Sequence, residues 1–269
     1  YEDAESAIGS AAVLAHLESV GSRDESKLDM LDLRSTSEQL ERQLKSNPND
    51  DRGWAMLGRV YRELGNTAAS MKAFDAAVKA RPDNAELRHC LAFVETRRNL
   101  ANVLETPRRE GKLLIRPVHG DTKLNNFLFD AASGRAVSLI DLDTVQPGLI
   151  HFDIGDCLRS CANPAGESPG NLAAVRFDLD ICHALLKHYF SEARAFLTPY
   201  DHHYIYDAIR LIPFELGLRF LTDHLEGNHY FKTDWPGQNL HRALAQFALT
   251  SSIERNEARI RSLIKGLEV

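Results

Sequence analysis

The sequence has few cysteines, and this shortage excludes two classes of protein. Cys90, Cys157, Cys161 and Cys182 are too few and too irregularly spaced for a disulfide framework. Cys157 and Cys161 lie four residues apart, but no second pair of Cys or His has a matching spacing, so we do not expect a zinc site. We expect reduced thiols, and therefore a cytoplasmic protein.

Long apolar runs and an excess of positive charge are missing as well. No run approaches the roughly 20 apolar residues that span a bilayer, and the N-terminus lacks a basic segment followed by an apolar one. The 269 residues carry a formal net charge of −6 with acids and bases interspersed, so we expect neither a membrane nor nucleic acid as partner. The chain begins at Tyr1 and not at Met, which is compatible with a fragment or a processed piece.

The sequence does have enough apolar residues for a core, at 43%, and its first part is predicted to be helical. Over residues 1–34, apolar residues at helix-compatible spacings precede Gly and charged residues, which predicts one helix and a linker. Ser35 with Glu38 has the form of a capping box, so a second helix should begin there and end near Lys45.

Residues 35–87 resemble a single tetratricopeptide repeat, in which two antiparallel helices cross where one of them carries small residues. The residues that carry this resemblance are Trp54, Leu57, Gly58, Tyr61, Gly65, Phe74, Ala77 and Pro82. An ordinary helical hairpin is the alternative. Because one such unit cannot bury its own apolar face, we expect it to pack on the helix before it and on a helix from Asn84 to about Glu105. A protein partner that binds this unit is a further expectation.

Residues 113–159 contain short apolar runs separated by polar loops. Phe127–Phe129 and Ala136–Ile140 are predicted strands, and residues 131–134 form the turn between them. Such a hairpin would bring Asp141, directly after its second strand, close to the loop before its first strand.

Asp121, Asn126 and Asp141 are thereby predicted to lie together. Phosphoryl transfer needs a carboxylate that takes the proton of the substrate hydroxyl, and oxygen ligands that hold Mg²⁺ against the nucleotide phosphates. We predict Asp121 as the base and Asn126 with Asp141 as the Mg²⁺ ligands. Asp, Asn and Gly are also common in ordinary turns, but the joint spacing HGDxxxxN, IDxD and DxGDxxR favours the functional interpretation.

Asp153 and Asp156 flank Gly155 at a predicted helix start. Acidic side chains in this position can hold a neighbouring loop by accepting its backbone hydrogen bonds. We therefore expect both carboxylates to be structural, with Asp156 paired to Arg159.

The stretches VHGDTKLNNFLFD, SLIDLDTVQPG and DIGDCLR resemble the catalytic and metal-binding loops of the aminoglycoside phosphotransferase and choline kinase superfamily, whose fold is similar to that of protein kinases. Within it they look most like the N-acetylhexosamine 1-kinase group, over about residues 90–255. The resemblance implies that Asp121 is the catalytic base, that His119 holds its loop, and that ATP and Mg²⁺ are the cofactors. The implied substrate is a sugar, an N-acetylhexosamine.

The first of the later helices is predicted over residues 172–197, and another begins at Thr198-Pro199. Residues 204–225 are also predicted to be helical, with a kink or break at Pro213. The last predicted helix runs from Asn239 to about Leu267. Glu215, Arg219 and Asp223 recur at a spacing of four, which is most often an exposed ion-pair ladder. In the sugar kinases that the chain resembles, an Arg here and a Tyr in the following HYFKT segment contact the sugar. The resemblance therefore implies Arg219 and Tyr230 as substrate-binding residues, and Asp223 as a further one.

A nucleotide-binding small lobe is not evident in residues 1–113, which lack alternating strands, a Gly-rich loop between them and a Lys at the end of a strand. The predicted fold is mostly α with a small β-hairpin region (α+β): a kinase-like lobe over 88–269, preceded by the helical unit.

One hypothesis is an ATP-dependent sugar kinase whose small lobe comes from elsewhere. Another is a non-catalytic interaction protein that joins the repeat-like unit to a degenerate kinase lobe. A fusion of a heme-maturation fragment with a kinase fragment is a third.

Overall fold

The computed structural model describes residues 26–80 and 84–267, which are mostly helical with two small antiparallel sheets, in agreement with the predicted α+β class. In chain order the helices are α1 (Ser26–Ser46), α2 (Asp51–Glu63), α3 (Thr67–Ala80), α4 (Ala85–Glu95), α5 (Glu105–Arg109), α6 (Ile150–Cys161), α7 (Leu179–Ala193), α8 (Pro199–Glu226), α9 (Gln238–Arg255) and α10 (Glu257–Leu267). The strands are β1 (Arg116–Val118), β2 (Phe127–Phe129), β3 (Ala136–Leu139) and β4 (Gln146–Gly148). Within these described residues, no helix combines the length and apolarity needed to cross a membrane.

Two compact units make up the chain. The first contains residues 1–85 and 222–232, and the second contains residues 86–221 and 233–269. The domain boundary predicted between residues 87 and 88 stays a prediction. The boundary predicted between residues 34 and 35 falls inside α1, and the helix predicted in the first part of residues 1–34 lies outside the described residues.

In the first unit, the predicted helix start at Ser35 is wrong, because α1 already runs from Ser26 and ends at Ser46. The hydroxyl of Ser37 donates to the carbonyl of Arg34 at 2.8 Å, which is how a serine is accommodated inside a helix. The apolar stripe of α1 continues across the apparent capping box and packs against α2, so tertiary packing outweighs the local capping signal. The cluster consists of Leu33, Leu40, Leu44, Trp54, Met56, Leu57, Val60, Tyr61, Leu64 and Ala73.

Helices α2 and α3 approach each other closely at Gly58. A Cβ atom at this position would lie 2.9 Å from ring atoms of Phe74, and the hydroxyl of Ser70 donates to the carbonyl of Gly58 at 2.8 Å. The absence of a side chain at Gly58 therefore permits the close contact of the two helices. The packing of this pair on the preceding helix is as predicted, whereas its assignment to the tetratricopeptide class stays a prediction.

In the second unit, the helix predicted to reach Glu105 ends at Glu95 and is followed by a short 3₁₀ turn. The guanidinium of Arg97 lies 3.6 Å from the centre of the Phe93 ring and pairs with Glu254 at 2.7 Å. Helical periodicity continues past this point in the sequence, but these contacts with a residue far along the chain accompany the end of the helix.

The two sheets place the polar loops of the 113–159 stretch. Strands β2 and β3 pair as the predicted hairpin, with Phe127 opposite Leu139 and a bulge between Leu128 and Phe129. Strand β1 pairs with β4, with Arg116 opposite Gly148, and this second ladder was not predicted. The sequence of β4, Gln-Pro-Gly, has the composition of a turn and gives no strand signal.

Helix α7 begins later than predicted, because residues 172–174 form a 3₁₀ turn and Asp178 caps the helix by accepting from the backbone of Asp180 and Ile181. Helix α8 begins at Pro199 as predicted. Pro213 does not end α8, which continues to Glu226. The turns that follow Pro213 are stabilised by packing, because Phe214 and Phe220 are buried in the core.

The start of α8 also holds β1. Thr198 and Asp201 form a reciprocal cap, in which the backbone N–H of Thr198 donates to Asp201 at 2.8 Å and that of Asp201 donates to the Thr198 hydroxyl at 3.1 Å. Arg116 of β1 pairs with the same carboxylate at 3.0 Å. The main apolar core of the second unit consists of side chains from α6 to α10, chiefly Ile154, Leu158, Leu186, Phe190, Ile205, Tyr206, Ile209, Leu249, Ile253, Ile260 and Ile264.

Candidate active site

The loop after β1 passes close to the segment before β4. Gly120 has φ +83°, and a Cβ atom there would lie 2.9 Å from the carbonyl oxygen of Thr144. The hydroxyl of Thr144 in turn donates to the carbonyl of His119 at 2.7 Å. Both the positive φ and the short approach require glycine at this position.

Asp153, in the first turn of α6, holds the same loop from the other side. Its carboxylate accepts the backbone N–H of His119 at 2.7 Å and that of Gly120 at 2.8 Å. The hydroxyl of Thr122 donates to the backbone carbonyl of Asp153 at 2.6 Å. Asp153 thus accepts backbone hydrogen bonds from the loop that carries Asp121, and its role at the site stays a prediction.

Asn126 and Asp121 are in direct contact. The amide nitrogen of Asn126, a buried side chain, donates to the backbone carbonyl of Asp121 at 2.8 Å and to its carboxylate oxygen Oδ2 at 3.0 Å. A 3₁₀ turn over Leu124–Asn126 sets this geometry, and the hydroxyl of Ser160 accepts the N–H of Leu124 at 2.9 Å. The loop is therefore attached to both ends of α6.

His119 connects the loop with the end of β3. Its Nδ1 accepts the backbone N–H of Asp121 at 3.2 Å, so its Nε2 carries the proton and donates to the carbonyl of Ile140 at 3.0 Å. The backbone N–H of Ile140 donates to the carbonyl of Asn126 at 2.9 Å. With both ring nitrogens bonded in this way, His119 has the geometry of a positioning residue, and the role that the resemblance implies for it stays a prediction.

Asp141 follows Ile140 directly and is one of two residues other than glycine with positive φ in the described chain, at φ +65°. Strained backbone of this kind is found mainly at functional sites. Because Ile140 bonds to both His119 and Asn126, the backbone at Asp141 is fixed relative to the loop that carries Asp121. The exposed carboxylate of Asp141 starts a short 3₁₀ turn over Leu142–Thr144.

Lys123 is a residue at this site that the sequence analysis missed. Its ammonium group forms an ion pair with Oδ2 of Asp121, the oxygen that also accepts from Asn126. Its position two residues after Asp121 was the available signal, but a lysine that meets phosphates was expected only within the first 113 residues. The site therefore contains a positive charge beside the proposed base.

The donor set fits a hard cation. The amide nitrogen of Asn126 is used by Asp121, so the amide oxygen is the atom left for a cation, and Asp141 adds carboxylate oxygens. In the part of the chain that the structure describes, no group of three or more His, Cys, Asp or Glu could hold a metal ion by itself. This pattern suits Mg²⁺, which usually keeps water and phosphate oxygens among its ligands.

Asp156 and Arg159 pair as predicted, with the Nε of Arg159 at 2.7 Å from Oδ1 of Asp156. Arg159 is buried and also lies 3.5 Å from a carboxylate oxygen of Glu167. The pair connects α6 to the loop after it, and its structural role stays a prediction.

The residues implied for substrate binding fall in both units: Arg219 in the second, and Asp223 with Tyr230 in the first. The buried carboxylate of Asp223 accepts three backbone N–H groups, from His229, Tyr230 and Phe231, at 2.8 to 3.0 Å. Tyr230 is 75% exposed. Asp223 therefore fixes the backbone of the loop from which the Tyr230 ring extends.

Comparison with known families places the loop from His119 to Asp141 inside a phosphotransferase match. The model of the family described as Phosphotransferase enzyme family (APH) matches residues 8–196, which is more than half of the chain and includes the whole loop from His119 to Asp141 and helix α6. The match begins far before residue 90 and ends before residue 255. The match thus includes residues 8–89, which the expected resemblance over about residues 90–255 did not, because strand and Gly-rich loop patterns were not evident there.

Proposed function

The chain belongs to the phosphotransferase enzyme family, and we propose that it transfers the terminal phosphoryl group of ATP to a hydroxyl group of a sugar. Family membership indicates a kinase-type enzyme. The observation that carries the proposal is the bonded arrangement of Asp121, Asn126 and Lys123 in one loop, with Asp141 fixed beside it through Ile140.

Asp121 is the proposed general base. Its Oδ2 accepts from Lys123 and Asn126, which orients the carboxylate and leaves Oδ1 to accept the proton of the attacking hydroxyl. Lys123 can exchange this partner for a phosphate oxygen when nucleotide is bound, since an ammonium group accepts any nearby anion as a partner. Charge near the transferred phosphoryl group supplies much of the rate in this chemistry.

Asn126 and Asp141 would hold Mg²⁺ through the amide oxygen and the carboxylate. When bound, the ion supplies positive charge that offsets the charge of the nucleotide phosphates. His119 and Asp153 contribute by fixing the loop: the first joins Asp121 to Ile140, and the second holds two backbone N–H groups of the loop.

The acceptor that we propose is an N-acetylhexosamine. The resemblance to the 1-kinase group supports this choice, together with the exposed ring of Tyr230 on a loop that Asp223 holds by three hydrogen bonds. An exposed aromatic ring on a loop with a fixed backbone suits the apolar face of a sugar ring. Arg219, which is exposed on α8, would bind the sugar hydroxyls or the acetamido carbonyl.

Exposed apolar side chains are concentrated in the segment that carries the proposed site, and they support a covering partner. Among the described residues, most of the exposed large apolar side chains lie between residues 114 and 145. They are Leu114, Ile115, Leu124, Leu128, Phe129, Val137, Ile140, Leu142 and Val145. Exposed apolar groups so concentrated usually mark a binding surface. We propose that a nucleotide-binding lobe from another polypeptide covers it.

The second candidate function is a non-catalytic interaction protein. The observation that favours it is that the described residues before Arg116 form helices and turns and no strand, so they contain no sheet that could bind a nucleotide. In that case the repeat-like unit would bind a protein partner, and the kinase-like site would keep at most sugar or Mg²⁺ binding.

Calorimetric titration with Mg·ATP and with N-acetylhexosamines, in separate experiments, tests the two candidates. Saturable heat from both ligands supports the kinase. If the sugar alone gives heat even after a nucleotide-binding lobe has been supplied, the result supports the interaction protein. Heat from neither ligand would reject both binding sites. The variant Asp141→Ala provides a control, because it should weaken the Mg·ATP signal and leave the sugar signal unchanged.

A further inference from the structure

Helix α6 ends in a pair of thiols that the proposed mechanism does not use. Cys157 and Cys161 are four residues apart and so lie on one face of the helix, one turn from each other. Both are partly exposed, whereas Cys90 and Cys182 are completely buried. The exposed pair is thus the one that reagents in solution can reach.

The turn that contains these thiols is attached to the proposed active site. Ser160, which lies between them, accepts the N–H of Leu124 at 2.9 Å, and Leu124 begins the 3₁₀ turn that ends at Asn126. At the other end of α6, Asp153 holds Gly120 at 2.8 Å. A change confined to the last turn of α6 would therefore act on Leu124 and leave the bond to Gly120 in place.

We propose that Cys157 and Cys161 form a reversible disulfide in the presence of a hydroperoxide, and that this disulfide releases Leu124 from Ser160. In the first step the Cys161 thiolate attacks the peroxide, the O–O bond breaks, and a sulfenic acid and an alcohol (or water) form. In the second step the Cys157 thiol displaces hydroxide, which leaves as water, and the S–S bond forms. Two thiols are oxidised by two electrons, and one hydroperoxide is reduced.

The geometry explains why the disulfide would disturb the helix. The Cβ atoms of residues four apart on a helix are about 5–6 Å from each other, whereas a disulfide needs about 3.5–4.5 Å. The last turn must therefore tighten, and it can do so because α6 ends at Cys161. Strained disulfides of this kind are easily reduced and are therefore reversible.

The reactivity of the two thiols is also unequal. The neighbouring thiol of Cys157 lowers the pKa of the Cys161 thiol, against the opposing effect of burial. The neighbouring thiol of Cys161, together with burial, raises the pKa of Cys157. Cys161 is accordingly the nucleophile and Cys157 the resolving thiol.

Treatment of the native chain with hydrogen peroxide, followed by intact-mass measurement and peptide mapping, tests the chemistry. We expect the loss of two hydrogen atoms and a single Cys157–Cys161 disulfide that a dithiol reductant reverses, with Cys90 and Cys182 unmodified. Cys157→Ser should instead accumulate a sulfenic acid at Cys161, trapped by a cyclic 1,3-diketone. Cys161→Ser should form neither product. Modification of all four thiols at similar rates, or no disulfide, would overturn the inference.

Hydrogen exchange tests the connection to the loop. In the oxidised chain the amide of Leu124 should exchange about tenfold faster, the factor that corresponds to the loss of one ordinary hydrogen bond. The amide of Gly120 is the internal control and should not change. Unchanged exchange at Leu124, or faster exchange at both amides, would contradict a change confined to the last turn. Neither readout requires phosphotransfer, so a failure of the proposed activity would leave both results interpretable.

Discussion

Oδ1 of Asp153 lies 2.8 Å from the backbone nitrogen of Gly120, although the two residues are 33 positions apart in the chain. Helix α6 and the loop that carries the proposed base are thereby joined through a charge-assisted hydrogen bond. The same carboxylate also accepts the N–H of His119. One side chain thus fixes the backbone on which the geometry of Asp121 depends.

Replacement of Asp153 by alanine should therefore destabilise the second unit. Two backbone N–H groups lose a charged acceptor, so we expect the free energy of unfolding to fall by about 2–3 kcal/mol. Urea unfolding followed by circular dichroism measures this difference. The control is Asp180→Ala, since Asp180 is an exposed acid in the first turn of α7 and its loss should cost at most about 1 kcal/mol. Equal losses in the two variants would mean that Asp153 acts only through the helix dipole.

Asp121→Asn should abolish turnover and leave sugar affinity nearly unchanged, in an enzyme supplied with a nucleotide lobe if one is required. The amide keeps the size of the carboxylate but cannot accept the proton, so turnover should fall at least about 100-fold. Steady-state kinetics and sugar titration measure the two quantities. A parallel loss of sugar binding would show that Asp121 is a binding or folding residue.

Lys123→Met should lower turnover by about 100-fold, because one positive donor near the transferred phosphoryl group is removed. Lys123→Arg should recover part of the rate, since it restores the charge with a different geometry. The comparison variant is Lys187→Met, at an exposed position of α7. The role assigned to Lys123 fails if both methionine variants retain full turnover, or if Lys123→Met changes only the KM for the sugar.

Local spacing was sufficient to predict the hairpin and much of the candidate site. The pairing of β2 with β3 follows from two short apolar runs around a turn, and the pairing of Asp156 with Arg159 follows from their separation on a helix. The support of the loop by Asp153 could also be inferred, because an acid in the first turn of a helix commonly accepts backbone hydrogen bonds.

The features that were missed depend on residues distant in sequence. Arg97, just after the end of the preceding helix, pairs with Glu254. The apolar periodicity within residues 84–105 cannot show a contact with a residue so far along the chain. Strand β4 exists only because it pairs with β1. The capping signal at Ser35 was local and was outweighed by the apolar stripe that continues through α1. In each case tertiary packing decided the outcome.

Gly155→Ala should destabilise the chain, because α6 and α8 touch at this residue. An added Cβ atom would lie 2.5 Å from Cγ1 of Ile212 and 2.9 Å from the backbone carbonyl oxygen of Ala208. The backbone atom cannot move aside easily, so we expect a loss of about 1–3 kcal/mol in urea unfolding. Gly266→Ala is the matched control in α10, where no atom lies within 4 Å of the added Cβ and stability should stay equal or rise by up to about 1 kcal/mol. Equal stability of the two variants would disprove the close helix contact.

The ion pair between Arg116 and Asp201 should make stability depend on pH. Burial of Asp201 opposes its ionisation, but the bonds from Arg116 and Thr198 outweigh this effect and hold the pKa of the carboxyl below its ordinary value of 3.8. A folded-state pKa below the unfolded one contributes stability at higher pH, and this contribution is lost as the pH falls through the folded value. Asp201→Asn should therefore unfold with a weaker pH dependence below about pH 3.8.

Arg116→Leu separates this ion pair from the rest of the acid response. At neutral pH the variant leaves the buried carboxylate of Asp201 without its charged partner, which should cost about 3–5 kcal/mol. The cost should shrink once Asp201 is protonated, and protonation should occur at a higher pH than in the parent because the lowering effect of Arg116 is gone. Urea unfolding at neutral pH and near pH 3.8 measures both effects. Arg176→Leu is the control, since its pair with Asp178 is exposed and should contribute less than about 1 kcal/mol at either pH. A cost for Arg116→Leu that does not change with pH would show that Arg116 stabilises β1 by packing and not by its charge.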